Sequence, residues 1–207
     1  MHSEPVVDRV ADAVLASPAR LGAVRLVSVD GPSGSGKSTF ARTLVACLRE
    51  RGCHVGLVST DDFATWDDPV SWWPRLAEVL DRLAEGRPGG YRAWDWTTGE
   101  PRPGAEVRVP VPDVLVLEGV SAGRTSVRPV LTRLCWVEVP GRVDRLERAV
   151  ARDGEACRPL LSAWQRFEDG WFAVDDTRAH ADDVVRPHGH RSPGWTAVAA
   201  SGPRGRS

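Results

Sequence analysis

"VRLVSVDGPSGSGKSTFARTLVACLRERG", residues 24–52, decides the fold. Its first six residues are short, β-branched and largely apolar, as a strand buried on both faces requires. Asp30 and Gly31 end that run, and from Ser38 onward Phe40, Ala41, Leu44 and Leu48 recur at helical spacing until Gly52 stops the helix. Between strand and helix, Gly31, Gly36, Lys37 and Ser38 satisfy G-x-x-x-x-G-K-[ST], the phosphate-binding loop. Glycines let the backbone of Gly31, Ser33, Gly34, Ser35, Gly36, Lys37, Ser38 and Thr39 curl so that successive N–H groups and the helix N-terminus face one anion. In such a loop the lysine reaches the β- and γ-phosphates of ATP and the serine hydroxyl can ligate Mg²⁺.

Lys37 is the only lysine of 207 residues, since all the other basic positions are arginine. A compact ammonium enters a narrow anion nest that a planar guanidinium would overfill, which explains the one exception to the arginine bias.

Outward from the loop, "HVGLVS" (54–59), "VLVL" (114–117) and "LCWVEV" (134–139) read as further strands. Helical patterns are expected near 5–17, 74–85, 126–133, 142–152 and 159–172. Strands alternating with helices imply an α/β fold with a parallel sheet covered on both faces. Residues 86–112, rich in Gly and Pro, interrupt the alternation as a hairpin insert suited to an acceptor lid. The tail from Pro187 has no periodicity and is expected to be disordered. One domain is therefore expected over 1–186, with a small lid near 153–159 and the tail at 187–207.

Composition narrows the partners. A net charge of −1 gives no general attraction to nucleic acid or acidic membrane, and no apolar run is long enough to cross a bilayer. The N-terminal stretch carries Glu4, Asp8 and Asp12 and does not read as a signal peptide, so a cytoplasmic location is expected. Cys47, Cys53, Cys135 and Cys157 lack Cys-x-x-Cys spacing and read as reduced thiols. Small partners are favoured: ATP and a hydroxylated acceptor.

Two acidic positions stand at strand ends, where the chemistry of open α/β sheets concentrates. Asp61 and Asp62 follow the second strand and Glu118 ends the third. A carboxylate there can take a proton from an attacking hydroxyl or hold a metal. Asp61 is read as functional and Asp62 as a turn residue. Arg145, Arg148 and Arg152 share one face of the helix near 142–152, where anion contact and a solvated face are equally consistent with the spacing. Arg158 precedes Pro159 in a short connection able to fold over nucleotide. Trp66, Trp72, Trp73, Trp94 and Trp96 crowd into 31 residues, either as a satellite core or as a wall against which an acceptor stacks.

"DGPSGSGKST", "STDDF", "LEG" and "RLERAVARD", in that order, resemble the uridine kinase family and its phosphoribulokinase and pantothenate kinase relatives over roughly residues 24–186. The resemblance implies a P-loop NTPase fold with a five-stranded parallel sheet and transfer of the ATP γ-phosphoryl group to a primary alcohol. It implies Asp61 as general base, with Ser38, Glu118 and Asp61 itself in the Mg²⁺ shell. It also implies Arg148 and Arg152 as lid arginines, and Asp67 of "WDDP" as the residue holding a ribose diol. "HADDVV" (180–185) is similar to the last strand beside the adenine. At the acceptor the family usually shows Tyr-Asp-Phe and then His, where this chain has Trp94-Asp95-Trp96 and then Gly99. A kinase of a nucleoside such as uridine is the leading expectation. A pantothenate-like acceptor is one alternative, and a nucleotide-binding regulatory NTPase is another.

Overall fold

A computed structural model describes residues 5–98, 100–188 and 194–198. Its centre is a sheet in which residues 25–30 (β1), 55–59 (β2), 114–118 (β5), 131–137 (β6) and 183–188 (β7) run parallel, with residues 194–198 (β8) antiparallel at one edge. Strand order is β2-β5-β1-β6-β7-β8. Helices α1 (Val6–Ala16) and α2 (Lys37–Glu50) cover one face. Helix α3 (Trp73–Ala84) and an antiparallel pair, β3 (Gly89–Asp95) and β4 (Arg102–Val109), lie against the other. Helices α4 (Arg142–Asp153) and α5 (Arg158–Asp175) follow β6 and pack on one another.

The period-two alternation of the strands builds both cores. Leu26 of β1 and Leu115 and Leu117 of β5 pack with Leu76, Leu80 and Leu83 of α3. Val27 and Val29 of β1 and Val114 and Val116 of β5 face the other way, against Phe40, Leu44 and Leu48 of α2. Strands buried on both faces have no polar side, which is why these segments read as continuous apolar runs.

Register then assembles the site. Val29 pairs with Glu118, and Ser59 pairs with the same Glu118 from the other side. The carboxyl ends of β1, β5 and β2 therefore lie level, and the loop after β1, Glu118 and the turn after β2 share one end of the sheet.

Three expectations are corrected. The sheet has six strands: five parallel and one antiparallel. The sixth, β8, pairs Val185 with Ala197 and Pro187 with Trp195, so residues 194–198 of the tail are strand. Trp195 meets Phe40 edge-on at 4.9 Å, and that apolar contact supports β8 where sequence periodicity gave no signal. The remaining tail positions, 189–193 and 199–207, lie outside the described residues. The helical pattern at 126–133 is instead a 3₁₀ turn, Arg128–Val130, followed by β6 from Leu131. Pro129 suits a single turn but donates no N–H to continue it.

Candidate active site

The phosphate loop is held by its glycines and by a buried carboxylate. Gly34 has φ +76°, and a Cβ there would strike the carbonyl of Arg145, so the position needs glycine twice over. Beneath the loop, Asp30 is fully buried and accepts from the N–H groups of Gly31 (2.6 Å), Ser121 (3.1 Å) and Gly123 (2.8 Å). Burial pushes its pKa up to about 7 against those hydrogen bonds and the attraction of Lys37. Gly36 precedes α2 with φ +97° and no capping side chain, leaving the N–H groups of the helix's first turn to an anion. Lys37 is buried and folds back on its own loop, its Nζ donating to the Pro32 carbonyl at 3.1 Å.

Ser38, the second residue of α2, faces β5. Its hydroxyl donates to Glu118 Oε2 at 3.2 Å, and the Ser59 hydroxyl donates to Glu118 Oε1 at 2.9 Å. Gly119 follows at φ +132°, where a Cβ would collide with the Thr60 hydroxyl, so the turn after β5 is pressed against the turn after β2. Burial raises the Glu118 pKa, and the nearby Asp61 charge raises it further, while Lys37 and the two hydroxyls oppose. A serine hydroxyl beside one carboxylate is the oxygen set that Mg²⁺ accepts when phosphate oxygens and water complete its shell. Ser38 and Glu118 therefore fit the ion. Among the described residues no group of three or more His, Cys, Asp or Glu side chains is placed to hold a metal by itself.

The two aspartates after β2 diverge. They occupy a 3₁₀ turn, Thr60–Asp62, whose start is capped by the Ser59 hydroxyl accepting from Asp61 N–H at 3.3 Å. Asp61 faces a cavity of about 490 Å³. Asp62 turns to the β3–β4 pair and accepts from the Tyr91 hydroxyl at 2.6 Å. Burial raises the Asp62 pKa, and desolvation together with that hydrogen bond raises the Tyr91 pKa as well.

The cavity wall combines Ser33 of the phosphate loop, Asp61, Arg152, and the indoles Trp66, Trp96 and Trp164. Trp66 meets Trp96 at 5.1 Å and Trp164 at 5.7 Å, nearly perpendicular to both. The Trp96 Nε1 donates to the Asp61 carbonyl at 3.0 Å, tying the hairpin to the turn that carries this acid. Trp94 donates to the Phe63 carbonyl at 3.0 Å, Trp72 is buried in the main core and Trp73 packs beside it. The tryptophan crowd is thus divided between core and wall.

Of the arginines on α4, Arg152 reaches the cavity. It pairs with Asp153 through two contacts of 2.6 Å, and that hydrogen bonding, joined by the fields of Asp61 and Glu118, raises its pKa. Arg148 is exposed on α4 and Asp67 is exposed in the loop after the 3₁₀ turn; neither lines the cavity. Arg145 points inward to the Val139 carbonyl. Arg158 bridges Glu147 and Glu155, closing the short Glu155–Cys157 turn against both flanking helices.

Beyond Arg158 at its start, no residue of α5 was singled out in the sequence. Trp164 lines the cavity, and Glu168, one turn on, is buried against Ser33. Gln165, between them, is buried with no partner for its side-chain amide. Their spacing is that of any packed helix, and no local signal separates them from core.

No family model matches the chain, and no curated protein matches it. Solved structures do share its fold. A "possible uridine kinase" from Bacillus stearothermophilus superposes with a TM-score of 0.64 at 20% identity, covering 86% of this chain and 96% of its own. A "putative fructose transport system kinase" from Silicibacter sp. TM1040 gives 0.61 at 21% identity over 81% and 95%. The YGR205w protein gives 0.51 at 13% identity, with 95% of this chain covered. The chain therefore shares the fold of these solved structures: a central, largely parallel sheet flanked by helices, with the glycine-rich loop between β1 and α2. No helix among the described residues is long and apolar enough to cross a membrane.

Proposed function

We propose that the protein is an ATP- and Mg²⁺-dependent kinase that transfers the γ-phosphoryl group to a hydroxyl of a small metabolite. The observation that carries this reading is the shared cavity: Asp61, Arg152 and the loop residue Ser33 line one wall system. A proton acceptor, a cation and the phosphate loop around one space are the parts of transfer, not of nucleotide storage alone.

In this reading Lys37 swings from the Pro32 carbonyl to the β- and γ-phosphates, and the open N–H groups at the start of α2 hold the phosphate chain. Ser38 and Glu118 would hold Mg²⁺, which when bound would offset charge on the phosphate oxygens. Asp61 accepts the proton of the acceptor hydroxyl as its oxygen bonds to the γ-phosphorus and the bond to the ADP oxygen breaks. Arg152 stabilises charge on the phosphoryl group in transit, after exchanging Asp153 for it. The indoles exclude water and orient the acceptor.

The acceptor proposed first is a nucleoside such as uridine, its base against the tryptophan wall and its ribose diol on Asp67. A sugar or another small alcohol is the second reading. It is favoured by the exposure of Asp67 outside the cavity, which would have to move to hold a diol at Asp61. Incubation with Mg-ATP and a panel of nucleosides, sugars and pantothenate, followed by mass detection of phosphorylated products, tests both. Phosphorylation of a ribonucleoside alone supports the first and phosphorylation of a sugar or acyclic alcohol alone supports the second. ATP consumption with no phosphorylated alcohol would favour the regulatory NTPase.

A further inference from the structure

Glu168 is a carboxylate with no exposure to solvent, lying 135 residues along the chain from the loop residue it touches. Its Oε2 accepts the backbone N–H of Ser33 at 2.9 Å and its Oε1 is in close contact with the Ser33 hydroxyl. Trp164, four residues earlier on α5, hydrogen-bonds the same carboxylate; an indole can only donate. Lys37 is near enough to favour the charged form, although burial outweighs it and raises the pKa. Burying a carboxylate is costly, and here it stands between two functional parts. Ser33 is the phosphate-loop residue that faces the cavity, and Trp164 is a wall of that cavity.

A backbone N–H of a phosphate loop on the cavity that Asp61 also lines is a seat for a terminal phosphate oxygen. A carboxylate and a phosphate cannot share it, because two anions a few ångströms apart in a poorly solvated site repel strongly. We propose that Glu168 is a placeholder anion, a positioning residue that keeps the Ser33 N–H from the nucleotide's terminal phosphate until an acceptor in the cavity displaces Trp164. The inference rests on the kinase reading. It gives that enzyme a way to withhold the productive ATP geometry while only water could attack.

The full chain is titrated calorimetrically with ATP and with ADP, without acceptor, as wild type and as Glu168→Gln. Glutamine keeps the size of the side chain but removes its charge. The expected result is that Glu168→Gln binds ATP about tenfold more tightly while ADP affinity stays within about twofold, since ADP has no terminal phosphate to meet Ser33. Acceptor-free ATP hydrolysis should rise in the same variant. If ATP and ADP affinities move together, or neither moves, Glu168 is a structural support and the inference is overturned while nucleotide binding stands. If the wild type binds neither nucleotide, the phosphate-site reading falls and this inference with it. Should Glu168→Gln fail to fold, Ser33→Ala removes half of the contact and should shift the ATP-to-ADP affinity ratio in the same direction by about threefold; an unchanged ratio overturns the proposal.

Discussion

At the scale of the residue, the unique lysine allows an unusually direct test. An amine-selective reagent should label Lys37 and the N-terminal amine, and ATP should protect Lys37 alone, because no other lysine can react. Equal labelling with and without ATP would remove Lys37 from the site. The aspartate pair offers the second test, since side-chain direction separates two neighbours of identical chemistry. Asp62→Asn weakens the hydrogen bond from Tyr91 and is expected to lower stability by about 1–2 kcal/mol while leaving turnover within a few-fold. A large loss of turnover with unchanged melting would mean that Asp62, not Asp61, meets the acceptor. The motif from Asp30 to Thr39 was legible because every part of its chemistry is local: tight turn, open N–H groups, ammonium and hydroxyl are consecutive. Which of the two aspartates faces the cavity is a matter of register, and only the folded turn after Ser59 displays it.

At the scale of the element, the turn after β1 carries a pH signature. Asp30 holds its proton up to about pH 7 when folded, against an ordinary value of 3.8. Between those limits the folded chain carries a proton that the unfolded chain has released, so this group's contribution to stability is full below pH 3.8 and falls as pH rises through 7. Denaturant unfolding between pH 4.5 and 8 should therefore show a decline in the wild type that is shallower in Asp30→Asn, whatever the variant's absolute loss; parallel slopes would assign the decline to other carboxylates. The hairpin acts on the chemistry through one bond. Trp96→Phe removes the donor to the Asp61 carbonyl, and turnover should fall several-fold more than ATP affinity. Equal changes in both would mean that Trp96 serves nucleotide binding as well. Strands β1 and β5 were readable as apolar runs because each is buried on two faces, whereas β2 is the edge strand and leaves Leu57 exposed. Strand β8 was not readable, since its support is a contact between Trp195 and Phe40, far apart in sequence. For the same reason α5 gave no sign that Trp164 and Glu168 serve the cavity and the loop: an inward-facing i, i+4 pair looks alike whether it meets core or substrate.

At the scale of the whole molecule, parallel pairing brings three chain segments to one end of the sheet, and α4 and α5 fold over them to close the cavity. The cavity proposed for the acceptor is walled largely by tryptophans. The glycine loop was legible in the sequence and the cavity wall was not, because one is built from consecutive backbone and the other from side chains gathered from four separate segments. The central claim is that Asp61 takes the acceptor's proton while other residues hold the nucleotide. Its most direct test compares wild type and Asp61→Asn for ATP affinity by calorimetry and for phosphorylated product by mass, with the acceptor found in the panel. The account predicts ATP affinity within a few-fold and a loss of turnover of about 10²-fold or more. Turnover unchanged in Asp61→Asn, with ATP bound normally, would contradict it.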